Sequence, residues 1–240
     1  MIHEDKALIR TRIRAQRSQR RVCTSADQRA RERAQLAALW PEVLADFGFS
    51  SASVSSSPID EAALTSVSSP PAQGASFLPA LFISSPSEPD TAGLLQACER
   101  CLIPGLVDPD GKAATDVAWT YVDSHPQAAE STQAKLESIV SIGPRFTPTR
   151  IESADELAKA DLIVVPALAV DARGVRLGQG GGWYDRALEH ARPGVPIIAA
   201  VFEDEFFSDP RDYLPVEPHD QRMNGVLTPS GYTRLIHNSR

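Results

Sequence analysis

The chain has 240 residues, 42% of them hydrophobic and 23% charged, which is ordinary for a soluble globular protein with a substantial core. No apolar run approaches the roughly 20 residues that cross a bilayer, no secretory signal is evident, and three cysteines make no disulfide framework. We therefore expect a cytoplasmic protein without a membrane partner. The net charge of −7 divides into +6 over residues 1–40 and −13 over the rest, so the basic arm suggests nucleic acid, a transit peptide or an anionic ligand.

The basic arm itself is expected to be a helix over Asp5–Arg21, since it has good helix formers and neither glycine nor proline. Lys6, Arg10, Arg14 and Arg17 share one face of that helix, which by itself indicates a solvated basic surface. Acidic residues at positions 4 and 5 and a scarcity of serine argue against a transit peptide. No aromatic residues are interleaved to stack on bases, so nucleic acid is not an expected partner.

A second helix is expected over Ala26–Leu44, with Thr24 or Ser25 as its N-cap. The following segment, Ser50–Ser76, contains ten serines and three prolines and cannot bury much apolar area. It is predicted to be a flexible surface insertion, with an interdomain linker as the alternative. We expect residues 1–240 to form one domain that carries this insertion at about 50–76.

Strands and helices alternate through the remainder of the chain. The apolar patterns predict helices over Pro89–Cys101 and Trp183–Ala191 and strands over Phe77–Ile83, Leu102–Leu106, Asp116–Val122, Asp161–Pro166, Val195–Phe202 and Gly225–Thr228. Such alternation is typical of an α/β fold, here a three-layer α/β/α domain with a mostly parallel central sheet. Ligands of such sheets bind beyond the carboxyl ends of the strands.

Cys98 and Cys101 form a CxxC pair, which can be half a zinc site or a redox pair. No second CxxC and no paired histidines accompany it. The favoured interpretation is two small, half-buried residues at the end of a helix.

A glycine cluster follows the strand Asp161–Pro166. Gly178, Gly180, Gly181 and Gly182 expose backbone N–H groups ahead of the predicted helix, which is the local chemistry of a phosphate site. Arg176 before it could add a fixed positive charge, and Asp185 after it could hold a divalent metal. The spacing matches neither a Walker A loop nor a dinucleotide fingerprint, because the third glycine of that fingerprint would fall at position 183, which is tryptophan.

The whole string, D-x-x-G-x-R-L-G-x-G-G-G-W-Y-D-R over residues 171–186, resembles the signature of the 5-formyltetrahydrofolate cyclo-ligase family, also called methenyltetrahydrofolate synthetases. Three further segments resemble that family in the same order along the chain. They are the K-x-x-x-R pattern of Lys6 and Arg10, the S-x-x-x-E-x-x-T segment over residues 84–91, and the H-D pair of His219 and Asp220. Asn224 stands where the family usually has aspartate.

The resemblance implies a role for each matching residue. It implies that Arg176 and Asp185 act in catalysis and that Asp185 and Asp220 hold Mg²⁺. It implies nucleotide binding by Lys6, Arg10, Arg176, Gly178, Gln179, Gly180, Gly181, Gly182, Trp183 and Tyr184, and folate binding by Ile83, Glu88, Trp183 and Tyr184. Without the resemblance, Glu88 and Thr91 would be a helix-capping pair, and Trp119 could belong either to the folate pocket or to the core.

The activity implied is the ATP- and Mg²⁺-dependent conversion of 5-formyltetrahydrofolate to 5,10-methenyltetrahydrofolate, ADP and phosphate. The expected partners are these small molecules alone, with the protein a monomer. One alternative is a non-catalytic relative that binds nucleotide or RNA. Another is a dinucleotide-dependent oxidoreductase, but its glycine loop should follow the first strand, whereas this loop lies late in the chain.

Overall fold

The computed structural model describes residues 5–49, 77–105, 116–124, 146–217 and 220–236. The serine-rich segment expected to be an insertion lies outside the described residues. None of the helices in these described ranges has the length and apolar character needed to span a membrane.

Two long helices begin the chain, α1 over Lys6–Cys23 and α2 over Ala26–Asp46, as the sequence predicts. Each begins at a side-chain cap, because an unpaired N–H in the first helical turn needs an acceptor. The Asp5 carboxylate accepts from the Ala7 N–H at 3.3 Å, and the Ser25 hydroxyl accepts from the Gln28 N–H at 3.2 Å. Two shorter helices follow, α3 over Ala92–Gln96 and α4 over Trp183–Leu188.

Eleven strands form two sheets within the described ranges. They are β1 (Pro79–Ala80), β2 (Arg100–Pro104), β3 (Trp119–Ser124), β4 (Phe146–Glu152), β5 (Leu162–Pro166), β6 (Ala169–Asp171), β7 (Arg176–Leu177), β8 (Ile197–Ala200), β9 (Phe206–Phe207), β10 (Gly225–Thr228) and β11 (Gly231–Arg234). Eight lie in one sheet in the order β11-β10-β8-β5-β1-β2-β3-β4. Its five central strands are parallel, and antiparallel pairs flank them on both sides.

Helices cover both faces of the large sheet, which confirms the three-layer α/β prediction. Along β5, Leu162 and Val164 pack with α2 and α3, whereas Ile163 and Val165 pack on the opposite face. That opposite face is covered by α4 and by a 3₁₀ turn over Ala154–Lys159. Full burial of each such aliphatic side chain contributes roughly 1.5–3 kcal/mol, so the apolar run of β5 is explained by its place between two helical layers.

The small sheet, in the order β7-β6-β9, gives α1 its packing surface. Ile9 and Ile13 of α1 are buried against Leu168, Leu177 and Leu214. Because β6 follows β5 after a short connection, this packing sets α1 beside the carboxyl edge of the large sheet.

The predicted helix over Pro89–Cys101 is wrong in its second half. The helix ends at Gln96, and the strand predicted over Leu102–Leu106 begins two residues earlier: Arg100–Pro104 is strand β2, paired with β1 on one side and β3 on the other. The sheet takes this segment because both neighbouring strands satisfy its backbone groups, a non-local gain that helical periodicity does not reveal. Cys98 and Cys101 are consequently buried, at 3% and 0% exposure, and not half-buried at a helix end.

Other boundaries shift by a few residues. The predicted strand Phe77–Ile83 is reduced to β1, Asp116–Val122 becomes β3, and the helix Trp183–Ala191 ends at Leu188. Strands β4 and β11 and the small sheet were not predicted. The strand Gly225–Thr228 was predicted with its observed bounds.

Candidate active site

The connection between β6 and β7 positions the arginine that precedes the glycine loop. Asp171 is fully buried, and its carboxylate accepts from the N–H groups of Arg173, Val175 and Leu214 at 2.9–3.1 Å. Charge-assisted bonds of this kind fix a turn firmly. After this turn, β7 runs antiparallel to β6. Arg176, the first residue of β7, therefore lies near the carboxyl end of β5, and its Nη1 donates to the Pro166 carbonyl at 3.3 Å. Sequence reasoning did not single out Asp171, although it is the first residue of the recognised string.

Three of the four glycines of the loop at 178–182 are favoured by backbone conformation or by close approach. Gly180 and Gly182 have φ values of +94° and +66°, in the region that side chains disfavour. A Cβ at Gly178 would lie 3.0 Å from Nη1 of Arg176. The loop therefore keeps a bare backbone against the arginine, as a phosphate-binding loop requires.

The basic face of α1 contacts this loop and is not a purely solvated surface. Arg10 Nε donates to the Gly178 carbonyl at 3.0 Å. Arg14 Nε donates to Gln179 Oε1 at 3.2 Å, and Arg14 Nη2 donates to the Gln179 carbonyl. The helix at the start of the chain thus holds a loop more than 160 positions later.

The first residue of α1 reaches the C-terminal segment that carries the H-D pair. Lys6 Nζ lies 3.2 Å from Asp220 Oδ2 and 3.1 Å from Glu217 Oε2, and the Lys6 and Asp220 side chains are only 11% and 12% exposed. His219, the other residue of that pair, lies outside the described residues. The structure therefore brings together Lys6 and Asp220, which the sequence assigned to one site.

Arg176 and Asp185 also meet. Arg176 Nη2 forms an ion pair with Asp185 Oδ1, and their side chains are 7% and 54% exposed. The arginine is therefore a nearly buried cation whose carboxylate partner faces solvent. A ligand phosphate could therefore replace that carboxylate at the arginine.

An aromatic cluster lies next to these charges. The ring centroid of Trp183 lies 5.5 Å from that of Trp119 and 4.8 Å from that of Tyr184, both in edge-on geometry. Trp119 is 1% exposed and so belongs to the core. The Nε1 atoms of Trp119 and Trp183 and the Tyr184 hydroxyl are buried without a hydrogen-bond partner among the described residues. Such groups are costly to leave unpaired, which makes this cluster suited to a polar heteroaromatic ligand.

The segment after β1 approaches the same cluster. Ile83 and Tyr184 both pack against the core cluster that contains Leu162 and Val164, and Tyr184 also packs against the cluster on the other face of the sheet. Burial raises the pKa of the Tyr184 hydroxyl, and the negative charge of Glu88 raises it further. Ile83, predicted for the folate side of the site, therefore shares a cluster with Tyr184, and Glu88 lies close enough for its charge to act on the Tyr184 hydroxyl.

Glu88 and Thr91 are not a capping pair, so that interpretation of them is wrong. The Glu88 carboxylate accepts from the Ser85 N–H at 2.7 Å, and the Thr91 hydroxyl donates to the Phe82 carbonyl at 2.8 Å. These bonds close the segment on itself as a compact turn. Asn224 has a structural role, since its Oδ1 accepts from the Ile197 N–H at 2.9 Å between neighbouring strands.

The carboxylates of Asp185 and Asp220 suit a metal ion that takes most of its coordinating oxygens from a bound substrate and from water. No group of three or more His, Cys, Asp or Glu that could hold a metal occurs in the described ranges. Asp185 and Asp220 are each paired with a cation that was predicted to bind phosphate. Mg²⁺ characteristically takes one or two carboxylates together with substrate phosphates and water, so a carboxylate beside a phosphate-binding cation, as at Asp185 and at Asp220, fits it.

The chain resembles known proteins in both sequence and fold. A family model described as the 5-formyltetrahydrofolate cyclo-ligase family matches residues 60–229. A 5-formyltetrahydrofolate cyclo-ligase of Mycolicibacterium smegmatis is 48% identical over 87 residues, which are 36% of this chain and 43% of the relative. The corresponding Escherichia coli K12 protein is 35% identical over 74 residues, 31% of this chain and 39% of the relative. These alignments span less than half the length of either relative.

Two solved structures have the same fold at low sequence identity. A 5,10-methenyltetrahydrofolate synthetase of Aquifex aeolicus aligns with a TM-score of 0.57 and 17% identity, covering 97% of this chain and 95% of that one. The Mycoplasma pneumoniae 5,10-methenyltetrahydrofolate synthetase aligns with a TM-score of 0.52 and 15% identity, covering 94% and 99%.

Proposed function

The chain belongs to the 5-formyltetrahydrofolate cyclo-ligase family, and from that premise we propose that it converts 5-formyltetrahydrofolate and ATP to 5,10-methenyltetrahydrofolate, ADP and phosphate. One observation carries the proposal. There are two cation–carboxylate pairs: Lys6, on the helix that holds the glycine loop, pairs with Asp220, and Arg176 and Asp185, on either side of the loop, pair with each other. Phosphoryl transfer needs cations for the phosphate oxygens and carboxylates for a metal, and these pairs supply both.

The chemistry depends on activating a poor electrophile. The formyl carbon on N5 is unreactive because the nitrogen lone pair is delocalised into the carbonyl. In the proposed reaction the formyl oxygen attacks the γ-phosphorus of ATP, and ADP leaves. N10 then attacks the iminium-like formyl carbon, phosphate departs with the formyl oxygen, and the N10 proton is lost to solvent. Positioning and charge neutralisation supply the catalysis, and no protein nucleophile is needed.

The cations would exchange partners when ATP binds. Lys6, Arg10 and Arg176 would turn from protein oxygens to phosphate oxygens, while the backbone of residues 178–182 contributes N–H donors. A phosphate carries more negative charge than the carboxylate or carbonyl that it displaces, so the exchange is favourable. Gln179, held by Arg14, would keep the loop in the shape that the phosphates meet.

Asp185 and Asp220, released from Arg176 and Lys6, would hold Mg²⁺. The ion would neutralise charge on the phosphate oxygens during transfer. Trp183 and Tyr184 would pack against the pterin or adenine ring, with Ile83 and Glu88 on the folate side. The unpaired Trp183 Nε1 and Tyr184 hydroxyl support this, because a heterocycle could accept from the first and bond with the second.

The test is to incubate purified protein with 5-formyltetrahydrofolate, ATP and MgCl₂ and to follow the methenyl product by absorbance. We expect Asp185→Asn to lower kcat by about 10²-fold or more, as expected for the loss of one preorganised electrostatic group. Lys6→Ala should raise KM for ATP about tenfold, the equivalent of one charge-assisted hydrogen bond.

Matched controls separate these effects from general loss of surface charge. Glu189→Gln removes an exposed carboxylate one turn beyond Asp185, and Lys159→Ala removes an exposed lysine that pairs with Glu156. Both should keep wild-type kinetics. An absence of ATP-dependent product from the wild-type protein would overturn the proposed activity, and an unchanged KM for ATP in Lys6→Ala would remove the lysine from the phosphate site.

A further inference from the structure

The turn between β6 and β7 contacts both ends of the segment that carries Asp220. We call residues 214–223 the carboxylate segment. Its described residues form neither helix nor strand, so its position depends on contacts with other parts of the chain. It carries two carboxylates, of Glu217 and Asp220, whose oxygens lie 3.1 and 3.2 Å from Lys6 Nζ.

The fully buried carboxylate of Asp171 divides its two oxygens between the turn and this segment. Oδ1 accepts from the N–H groups of Arg173 and Val175 at 2.9 and 3.1 Å, which shapes the turn that leads into Arg176. Oδ2 accepts from the Leu214 N–H at 3.1 Å and from Nε and Nη2 of Arg173 at 3.1 and 2.7 Å. All of these groups are donors, which suits an acceptor-only carboxylate. One side chain therefore anchors both the strand of Arg176 and the start of the carboxylate segment.

The Arg173 side chain holds the same end of the segment from a second direction. Its Nη2 also donates to the Leu214 carbonyl at 2.5 Å, so the N–H and the C=O of Leu214 are both bound from the turn. The guanidinium carbon lies 4.5 Å from the centroid of the Tyr213 ring, a cation–π contact. The Leu214 side chain is 1% exposed and packs with Ile9 and Ile13 of α1. The start of the segment is therefore fixed to the turn and to α1.

The other end of the segment is bound to the backbone of the same turn. The Met223 N–H donates to the Gly174 carbonyl at 2.9 Å, and the Met223 side chain is fully buried. Arg222 Nη1 donates to the Arg173 carbonyl at 3.1 Å. Three consecutive residues that begin two positions after Asp171 thus contribute to both attachments.

A tight turn within the segment presents the carboxylates. The Glu217 N–H donates to Asp220 Oδ2 at 2.8 Å, and the Asp220 N–H donates to the Glu217 carbonyl at 3.0 Å. Since this turn lies between two anchored ends, a shift of either end would displace the Asp220 carboxylate.

The string that resembles the family signature does not specify Arg173. It specifies Asp171 and Arg176 but leaves position 173 open. Without the guanidinium, Oδ1 of Asp171 would keep the backbone bonds that place Arg176, whereas the Leu214 carbonyl would lose its side-chain donor. Arg173 therefore acts on the carboxylate segment more than on the glycine loop.

We propose that Arg173 is a positioning residue, which fixes the segment carrying Asp220 relative to Arg176. This inference rests on the proposed function, in which Asp220 holds Mg²⁺ and Arg176 binds phosphate. The fork of Arg173 sets the distance between the metal ligand and the phosphate site without touching either substrate. A displacement of about 1 Å at such a site can cost about 10²-fold in rate, so a residue of this kind affects catalysis through geometry alone.

Calorimetry of nucleotide binding tests the role directly. Arg173→Met keeps an unbranched side chain and removes the guanidinium. Its Kd for ATP in the presence of Mg²⁺ should rise about tenfold, the equivalent of one charge-assisted hydrogen bond. Its Kd for ATP in EDTA should stay within about twofold, because the cations and the glycine loop keep their places. In turnover, KM for ATP with Mg²⁺ should rise likewise, with KM for 5-formyltetrahydrofolate within about twofold.

Two more variants separate position from charge and from folding. Arg173→Lys keeps a counter-charge for Asp171 but replaces the fork with a point donor, so its Kd for ATP with Mg²⁺ should lie between those of wild type and Arg173→Met. The matched control is Arg211→Met, since Arg211 pairs with Asp209 at the same two-residue spacing but on the surface, with side chains 80% and 37% exposed. It should bind both forms of ATP as the wild type does.

Equal weakening of ATP binding with and without Mg²⁺ would show that Arg173 supports the fold in general, and unchanged binding would separate it from the site. Either result overturns the proposal while the activity stands. Failure of the wild type to make methenyl product would overturn the proposed function instead. Hydrogen exchange then decides the contact without any ligand. In Arg173→Met the amides of residues 213–223 should exchange about tenfold faster than in wild type, with those of β5 unchanged, and equal rates in the two proteins would refute the contact.

Discussion

Glu205→Gln tests the contact that holds α1 against the sheet. The Arg17–Glu205 pair is bidentate, and each side chain is 3% exposed. Glu205 Oε2 also accepts from the Phe202 N–H at 2.8 Å. Glutamine has nearly the same shape but no charge, so the variant leaves the Arg17 guanidinium buried without a counter-charge.

The expected loss follows from burial. Removing one partner of a buried ion pair costs about 3–5 kcal/mol, because the remaining charge is uncompensated in a medium that solvates it poorly. For a protein of this size each kcal/mol corresponds to roughly 2–4 °C in Tm, which gives a decrease of about 6–20 °C. Urea denaturation followed by tryptophan fluorescence measures the same loss at constant temperature. If α1 is docked against the sheet in a smaller fraction of the molecules, Lys6 and Arg10 are in place less often, and KM for ATP should rise.

Two further variants check the cause. Arg17→Met/Glu205→Leu removes both charges and should lose less stability than Glu205→Gln, since no charge stays buried. Asp204→Asn breaks the exposed pair with Arg20, in which the side chains are 31% and 51% exposed, and should cost less than about 1 kcal/mol. A Glu205→Gln protein within 1 kcal/mol of wild type would refute the reasoning.

Two other predictions concern the glycine loop and the thiols. Gly180→Ala should lower the free energy of unfolding by about 1–3 kcal/mol because its φ is +94°, whereas Gly181→Ala should change it little, since a Cβ there meets nothing within 4 Å; equal losses in urea denaturation would contradict this. Burial raises the pKa of the Cys98 thiol to about 12 and raises that of Cys101 as well, so at pH 8 both are protonated and shielded and a thiol reagent should label only the exposed Cys23. Rapid labelling of more than one thiol in the folded protein would show that the pair is accessible.

The sequence predicted those parts of the site whose residues are consecutive in the chain. The strand at Leu162–Pro166, the glycine loop and the helix from Trp183 follow one another within thirty positions, and each has its own local signal. Lys6 and Asp220 lie 214 positions apart. Their place in one site was predicted only because the family resemblance assigned Lys6 to the phosphates and Asp220 to the metal.

What the sequence did not predict depends on contacts between distant segments. Arg100 and Cys101 were predicted to end a helix, yet their pairing with Asp123 and Val122 of β3 makes them the start of β2. Arg17 and Arg14 looked like parts of a solvated stripe, and their partners, Glu205 and Gln179, lie 188 and 165 positions away. Asp171 stands in the recognised string, but its role as the acceptor for three backbone N–H groups becomes visible only in three dimensions.

The stoichiometry of the reaction tests the proposed activity most directly. With purified wild-type protein and both substrates, we predict one ADP formed for each 5,10-methenyltetrahydrofolate, and no ADP when 5-formyltetrahydrofolate is omitted. Methenyl product without ADP would contradict the phosphorylation of the formyl oxygen, and ADP release independent of the folate would contradict the coupling of the two substrates in one site.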